Sequence, residues 1–361
     1  MHIALIANLR KNAPILPGMP ADHWDDLDSE ETIDAITAAL EKCGHRVTLM
    51  EGDASLYARL QEQRPDICFN IAEGHFGDSR EAQVPAILEM LRLPYTGSSV
   101  LTMALTLDKP MTKRVLSHHE LPTPPFQVFE RINEPLNPDL HFPLFVKPSR
   151  EGTGMGISAE SIVHDEGQLR KQLFRLFDRY DQPVLAERFI EGREVTVGVV
   201  GNLTSPVAWR MPEDEAASRI SHGLHFLPPL EIDMSRYPVE EAGIYTGNIK
   251  TTLAHDFHYL CPAPLTADQI EELNWLTAAT FRITGCLDVA RVDFRLDAND
   301  YDKPYILEIN PLPGLNPDYS DLVIEARADG WRYEKLVNRI LHEAIERQQL
   351  LAEEFISAPA F

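Results

Sequence analysis

The chain has 361 residues, 44% hydrophobic and 25% charged, the balance of a globular protein long enough for two or three packed subdomains. Its 33 basic and 56 acidic residues give a formal net charge of −23, which argues against a nucleic-acid surface and requires any phosphate site to be locally basic or to carry metal. No stretch approaches the roughly 20 apolar residues of a membrane span, and four scattered cysteines (Cys43, Cys68, Cys261, Cys286), with neither a CxxC pair nor zinc-site spacing, read as reduced thiols of a cytoplasmic protein.

The apolar run Ile3–Ala7 leads directly into Asn8, Leu9, Arg10 and Lys11, so it reads as a buried first strand and not as a signal peptide. A loop carrying Pro14, Pro17, Gly18 and Pro20 follows. Ile33, Ile36, Ala39 and Leu40 then share one helical face over 31–43, with Ser29 as N-cap and Gly44 as terminator. A strand over 46–50, a helix over 55–63, a strand over 66–70 and a helix over 81–91 complete the pattern of a small doubly wound sheet. Helical periodicity runs through 101–119, and Pro122, Pro124 and Pro125 lead into a strand at 126–129. A strand at 144–147 precedes a glycine-rich segment; a helix over 165–180 and strands at 184–187 and 194–200 follow. Residues 206–262, rich in Pro, Gly and His, read as a functional loop without regular elements. Beyond them come a helix over 266–284, strands at 290–296 and 305–309, and a C-terminal helix from Tyr333.

Two segments carry chemistry. In Lys147-Pro148-Ser149-Arg150-Glu151-Gly152-Thr153-Gly154-Met155-Gly156 a strand delivers a lysine, and the glycines let backbone N–H groups turn toward an anion. A flexible glycine hairpin fits the same residues, and the lysine precedes the glycines, so this is no Walker A loop. In Arg291-Val292-Asp293 and Glu308-Ile309-Asn310, residues two apart share a strand face. If the strands are neighbours, two carboxylates, an amide oxygen and a guanidinium converge, an oxygen set suited to Mg²⁺ on nucleotide phosphates. Two salt-bridged edge strands are the alternative; charge on apolar strands favours the metal, since it is costly unless paired or metal-bound.

Taken in order, Leu107-Asp108-Lys109, the Lys147 segment, Glu187-Arg188-Phe189-Ile190-Glu191-Gly192-Arg193-Glu194, Arg291-Val292-Asp293 and Glu308-Ile309-Asn310 resemble the motifs of the D-alanine–D-alanine ligases, members of the ATP-grasp superfamily. The likeness spans about 66–340 and includes Leu93–Ser98 and Pro313-Gly314-Leu315. It implies an α/β ATP-grasp fold: an N-terminal domain over 1–97, a central domain over 98–190 and a C-terminal domain over 191–361. It further implies that Lys109, Lys147 and the loop of Gly152, Gly154 and Gly156 bind ATP phosphates, that Glu187, Arg188, Phe189 and Ile190 meet the adenine, and that Glu194 meets the ribose. Asp293, Glu308 and Asn310 are implied to hold two Mg²⁺ ions, with Mn²⁺ as a substitute. Arg291 and the Gly314 N–H are implied to stabilise developing negative charge, and Lys250 to reach the γ-phosphate. Because the family often dimerises through its N-terminal region, the likeness also implies a homodimer.

The departures from the family fall at substrate positions. Asn8-Leu9-Arg10-Lys11 replaces paired glycines, and the acidic element that meets an ammonium comes later, in Asp26-Leu27-Asp28-Ser29-Glu30-Glu31, with Glu31 as first candidate. These acids also suit a solvated helix start. Glu73 stands where a histidine is expected, Thr153 for a serine, Thr251 for a tyrosine, and the pocket serine, Ser320, is followed by Asp321. The expected function is an ATP-dependent carboxylate–amine ligase joining small amino-acid-like substrates through an acyl-phosphate. A true D-alanine–D-alanine ligase of cell-wall synthesis is the alternative, and a non-catalytic ATP-binding regulator a third reading.

Overall fold

The structure is a computed structural model describing residues 1–204, 223–233 and 259–357. Three sheets organise it. The first is parallel, in the order β2-β1-β3, with β1 at His2–Ala7, β2 at Arg46–Glu51 and β3 at Ile67–Asn70. Crossovers α1 (Glu30–Lys42) and α2 (Leu56–Gln63) join these strands. Ser29 caps α1 by accepting the Thr32 N–H, and Ile33, Ile36, Ala39 and Leu40 bury the face that the sequence spacing marks.

Helices α3 (Gln83–Leu91), α4 (Val100–Leu107) and α5 (Lys109–His118) follow. The single helix expected over 101–119 is thus broken. Asp108 leaves helical geometry (φ −82°, ψ 91°) and caps α5 by accepting the Met111 N–H. Pro110 would clash with the carbonyl four residues back in a continuous helix, but it is tolerated in the first turn of a new one. The break puts Lys109 at a helix start.

The second sheet is antiparallel, in the order β4-β7-β5-β6: β4 Phe126–Phe129, β5 Leu144–Pro148, β6 Ile162–Val163 and β7 Val184–Arg188. It is backed by α6 (Glu166–Tyr180), whose Leu169, Leu173 and Leu176 are buried. The third sheet runs β11-β10-β8-β12-β13, with β9 also paired to β8. Its strands are β8 Gly192–Gly201, β9 Leu224–Phe226, β10 Leu230–Ile232, β11 Tyr259–Leu260, β12 Val289–Asp297 and β13 Lys303–Asn310. Strands β9 to β11 correct the reading of 206–262 as a stretch without regular elements; they are two or three residues long, too short for periodicity to reveal. Helix α7 (Ala267–Thr284) covers this sheet, starting in a capping box of Thr266 and Gln269.

Helices α8 (Asp321–Ala328), not anticipated from sequence, and α9 (Tyr333–Ser357) close the chain. Leu336, Val337, Ile340 and Leu341 of α9 join Ile33, Ile36 and Leu40 of α1 in one core with Val200 and Val289 of the third sheet. Burying each such side chain is worth about 1.5–3 kcal/mol, so this shared core welds the first and third sheets together. All four cysteines are free thiols, and no helix among the described residues is long and apolar enough to cross a membrane.

Candidate active site

A cleft enclosing about 910 Å³, open to solvent at its mouth, lies between the second and third sheets. Lys147 comes from β5, Glu187 and Arg188 from β7, Phe189 and Ile190 from the connection after it, and Glu194 from β8; Arg291 and Asp293 come from β12 and Glu308 from β13. Gly152, Thr153 and Gly154 form one wall. A second pocket, about 1770 Å³, shares Lys109, Gly152, Thr153, Arg291, Glu308 and Asp321 with the cleft and continues along Asn310, Gly314 and Ser320 to Glu73.

Glu187 is buried and bridges two lysines, Lys113 at 2.6 Å and Lys147 at 2.7 Å. Burial alone would raise its carboxyl, but Lys113 and then Lys147 outweigh it and hold the group below the ordinary carboxylate range. Lys147 is pushed up because Glu187, followed by Glu308, overcomes its desolvation, so it stays a cation inside the cleft. Lys113 escaped sequence reasoning, although it lies one turn after Lys109 on α5. Replacing Glu187 by Ala strands two buried ammonium groups, and we expect a loss of about 3–5 kcal/mol in urea unfolding. The stabilisation from Glu187 is complete above the ordinary carboxylate range and is lost as pH falls through its depressed folded-state value.

The glycine segment turns through left-handed backbone at Thr153 (φ 52°), Gly154 (φ 76°) and Gly156 (φ 74°). Gly156 itself does not line the cleft. It anchors the loop's end, donating its N–H to Asp22 Oδ2 at 3.2 Å, the oxygen that also accepts the Tyr180 hydroxyl at 2.7 Å. A Cβ at Gly156 would stand 2.7 Å from Pro148 Cγ. Gly156→Ala must therefore displace the loop, and we expect the KM for ATP to rise several-fold in a nucleotide titration.

On the facing strands the register pairs Arg291 with Asn310 and Asp293 with Glu308, and a bulge follows Asp293. Arg291 grips Asp293 through two bonds, Nε to Oδ1 at 2.8 Å and a terminal nitrogen to Oδ2 at 3.0 Å. Thr196 Oγ1 (2.7 Å) and Asn310 Nδ2 (3.0 Å) also donate to Asp293. Desolvation works against the Arg291 charge, but Asp293, helped by Asp321 at 3.6 Å, more than restores it. Lys109 Nζ donates to the Glu151 carbonyl at 2.6 Å and sits 3.3 Å from Glu308.

Among the described residues no three His, Cys, Asp or Glu side chains are grouped to hold a metal. The oxygen donors here are Asp293, Glu308 and the Asn310 amide, whose nitrogen is turned to Asp293. Such a set fits a hard cation that keeps waters and takes its remaining ligands from phosphates, as Mg²⁺ does.

Gly314 packs so closely on Ser320 that a Cβ would lie 2.9 Å from its Oγ, which already accepts the Asn316 N–H at 2.9 Å. Glu31 is a correction: it is exposed in the first turn of α1, where its charge suits the helix dipole, and the second pocket is lined by Asp26 and Asp28 instead. Lys250 and Thr251 lie outside the described residues.

A partly apolar cleft of interleaved lysines, arginines and carboxylates, clamped between two antiparallel sheets, is the arrangement expected of an ATP-grasp carbon–nitrogen ligase. The chain belongs to the D-alanine–D-alanine ligase family: the model of the D-ala D-ala ligase C-terminus matches residues 115–215 and 229–342. The chain is 34% identical over 339 residues to the D-alanine–D-alanine ligase of Syntrophotalea carbinolica, covering 94% of this chain and 97% of that one. It is 35% identical over 322 residues to an uncharacterized protein of Sinorhizobium fredii, covering 87% of each. In fold it is similar to the D-alanine–D-alanine ligase from Bacillus anthracis complexed with ATP, with a TM-score of 0.69 at 22% identity over 97% of this chain and 99% of that one.

Proposed function

We propose that the protein uses ATP to join the carboxylate of one small amino acid to the amine of another, and that its substrate is not D-alanine. The observation that carries the reading is the continuity of the two pockets, which meet at Lys109, Arg291 and Glu308. The nucleotide lies in the cleft of Lys147, Glu187 and Glu194, and the amino acids lie in the adjoining pocket. A substrate carboxylate oxygen attacks the γ-phosphorus, ADP leaves, and the amine then displaces phosphate from the acyl carbon with loss of a proton. Lys109 and Lys147 offset charge on the phosphates, and Arg291 with the Gly314 N–H faces the oxygen that becomes negative. Asp293, Glu308 and Asn310 would hold Mg²⁺, which when bound would add neutralisation of phosphate charge. The chain needs no covalent nucleophile; it positions reactants and excludes water.

The three sheets support domains over 1–97, 98–190 and 191–361, and a homodimer remains part of the proposal. Phosphate release from ATP, screened over pairs of D- and L-amino acids with mass spectrometry of the product, tests the reading. The expected product weighs the sum of two amino acids less one water. ATP turnover with every pair absent, or hydrolysis without a joined product, would contradict it.

A further inference from the structure

Five carboxyls from two loops line the second pocket: Asp25, Asp26 and Asp28 ahead of α1, Glu73 after β3, and Glu81 in the turn at 80–82. Gly74 makes the convergence possible. Its φ is +75°, and a Cβ there would stand 2.5 Å from the Arg80 carbonyl oxygen, so the loop after Glu73 can lie against the Glu81 turn only with glycine. Burial, and then the neighbouring Glu81 charge, opposes ionisation of Glu73.

The neighbouring cations are already engaged. Arg80 pairs with Asp26 Oδ2 at 2.8 Å, reaches Glu151 at 3.6 Å and donates to the Arg150 carbonyl at 2.9 Å. Arg10 is tied to Asp25, by a carbonyl contact of 2.7 Å and an ion pair of 3.6 Å. Among the described residues Asp28, Glu73 and Glu81 have no ion-pair partner within 4.0 Å. The Asp26 side chain is 5% exposed, and among the described residues its Oδ1 has no hydrogen-bond partner. That oxygen is a buried acceptor on a residue that lines the pocket, and such an atom is costly unless something donates to it.

We propose that this pocket selects an amino acid carrying a side-chain amine or guanidine besides its α-ammonium, and that Asp28, Glu73 and Glu81 receive the second cation. The inference rests on the ligase reading and names the substrate class for it. A neutral amino acid brings one positive and one negative group, and its single ammonium needs one carboxylate. It would leave the Glu73–Glu81 pair and one aspartate unanswered, whereas a diamino acid supplies the missing donors. Burial pushes Asp28 up to about 7 and Glu81 up to about 7, and lifts Glu73 well above its ordinary range. An arriving cation would favour the charged forms of these groups.

The test is phosphate release by the purified full chain with Mg²⁺ and ATP, comparing lysine, ornithine and diaminobutyrate of both hands with D-alanine. We expect kcat/KM for the best diamino acid to exceed that for D-alanine by about 100-fold or more. Glu73→Gln should raise the KM for that diamino acid at least tenfold and leave the KM for ATP within twofold. Asp28→Asn should act in the same direction. Because Glu73→Gln removes a repelled carboxylate, thermal unfolding should show it at least as stable as the parent. Turnover confined to neutral amino acids, or an unchanged KM for the diamino acid in both variants, overturns the inference and leaves the ligase reading standing. No turnover with any amino acid overturns both.

Discussion

Glu308→Gln should lower ATP turnover by about 10²–10³-fold, the cost of losing one well-placed electrostatic group in a closed site. Glu308 faces the junction of the two pockets, opposite Asp293 in the β12–β13 register and 3.3 Å from Lys109. The amide keeps the shape and one oxygen but loses the charge that a divalent cation and the lysine both require. The Glu308 side chain is 27% exposed and the amide is isosteric with it, so denaturant unfolding should change far less than activity does. This separates a chemical loss from a folding loss. Steady-state kinetics with varied Mg²⁺ reads it, and a fully active Glu308→Gln protein would rule out the metal reading.

Arg291→Ala should affect both activity and stability. The Arg291 side chain is 14% exposed and makes two bonds to Asp293, so its removal leaves that carboxylate, among the described residues, Thr196 and Asn310 as donors. Breaking a buried pair on one side costs about 3–5 kcal/mol. The kinetic loss should be a further factor of about 10²–10³ in kcat at saturating ATP, since the charge it offsets develops only as the amine attacks. Arg291→Lys should regain much of the stability and little of the rate, because an ammonium cannot reproduce the planar two-point grip on Asp293. Equal recovery of both by lysine would mean that Arg291 serves the fold alone.

The strand residues of this site could be read from the chain because a strand repeats every two residues. Arg291 with Asp293, and Glu308 with Asn310, could be placed on shared faces before any partner strand was known. Partnerships formed in space left no such trace. Glu187 reads as one polar residue at a strand end, and nothing local shows that Lys113 and Lys147 close on it from α5 and β5. The break at Asp108 was masked by a continuous apolar stripe, though Pro110 marked it. Glu31 misled because a carboxylate in a first helical turn looks the same whether it serves the dipole or a ligand. The acids that line the pocket, Asp26 and Asp28, sit in the irregular loop before it, where no periodicity assigns a face. Gly74 and Glu81 needed the structure for the same reason: their meeting depends on how two loops pack.

The most direct test of the central claim follows an oxygen atom. The carboxylate of the accepted amino acid is labelled with heavy oxygen, and the phosphate released during ligation is analysed by phosphorus NMR or mass spectrometry. Activation through an acyl-phosphate transfers one labelled oxygen from each ligated carboxylate to phosphate, so the label should appear there in proportion to product formed. Phosphate carrying no label, with the oxygen lost from each ligated carboxylate recovered in water or in AMP instead, would contradict the account.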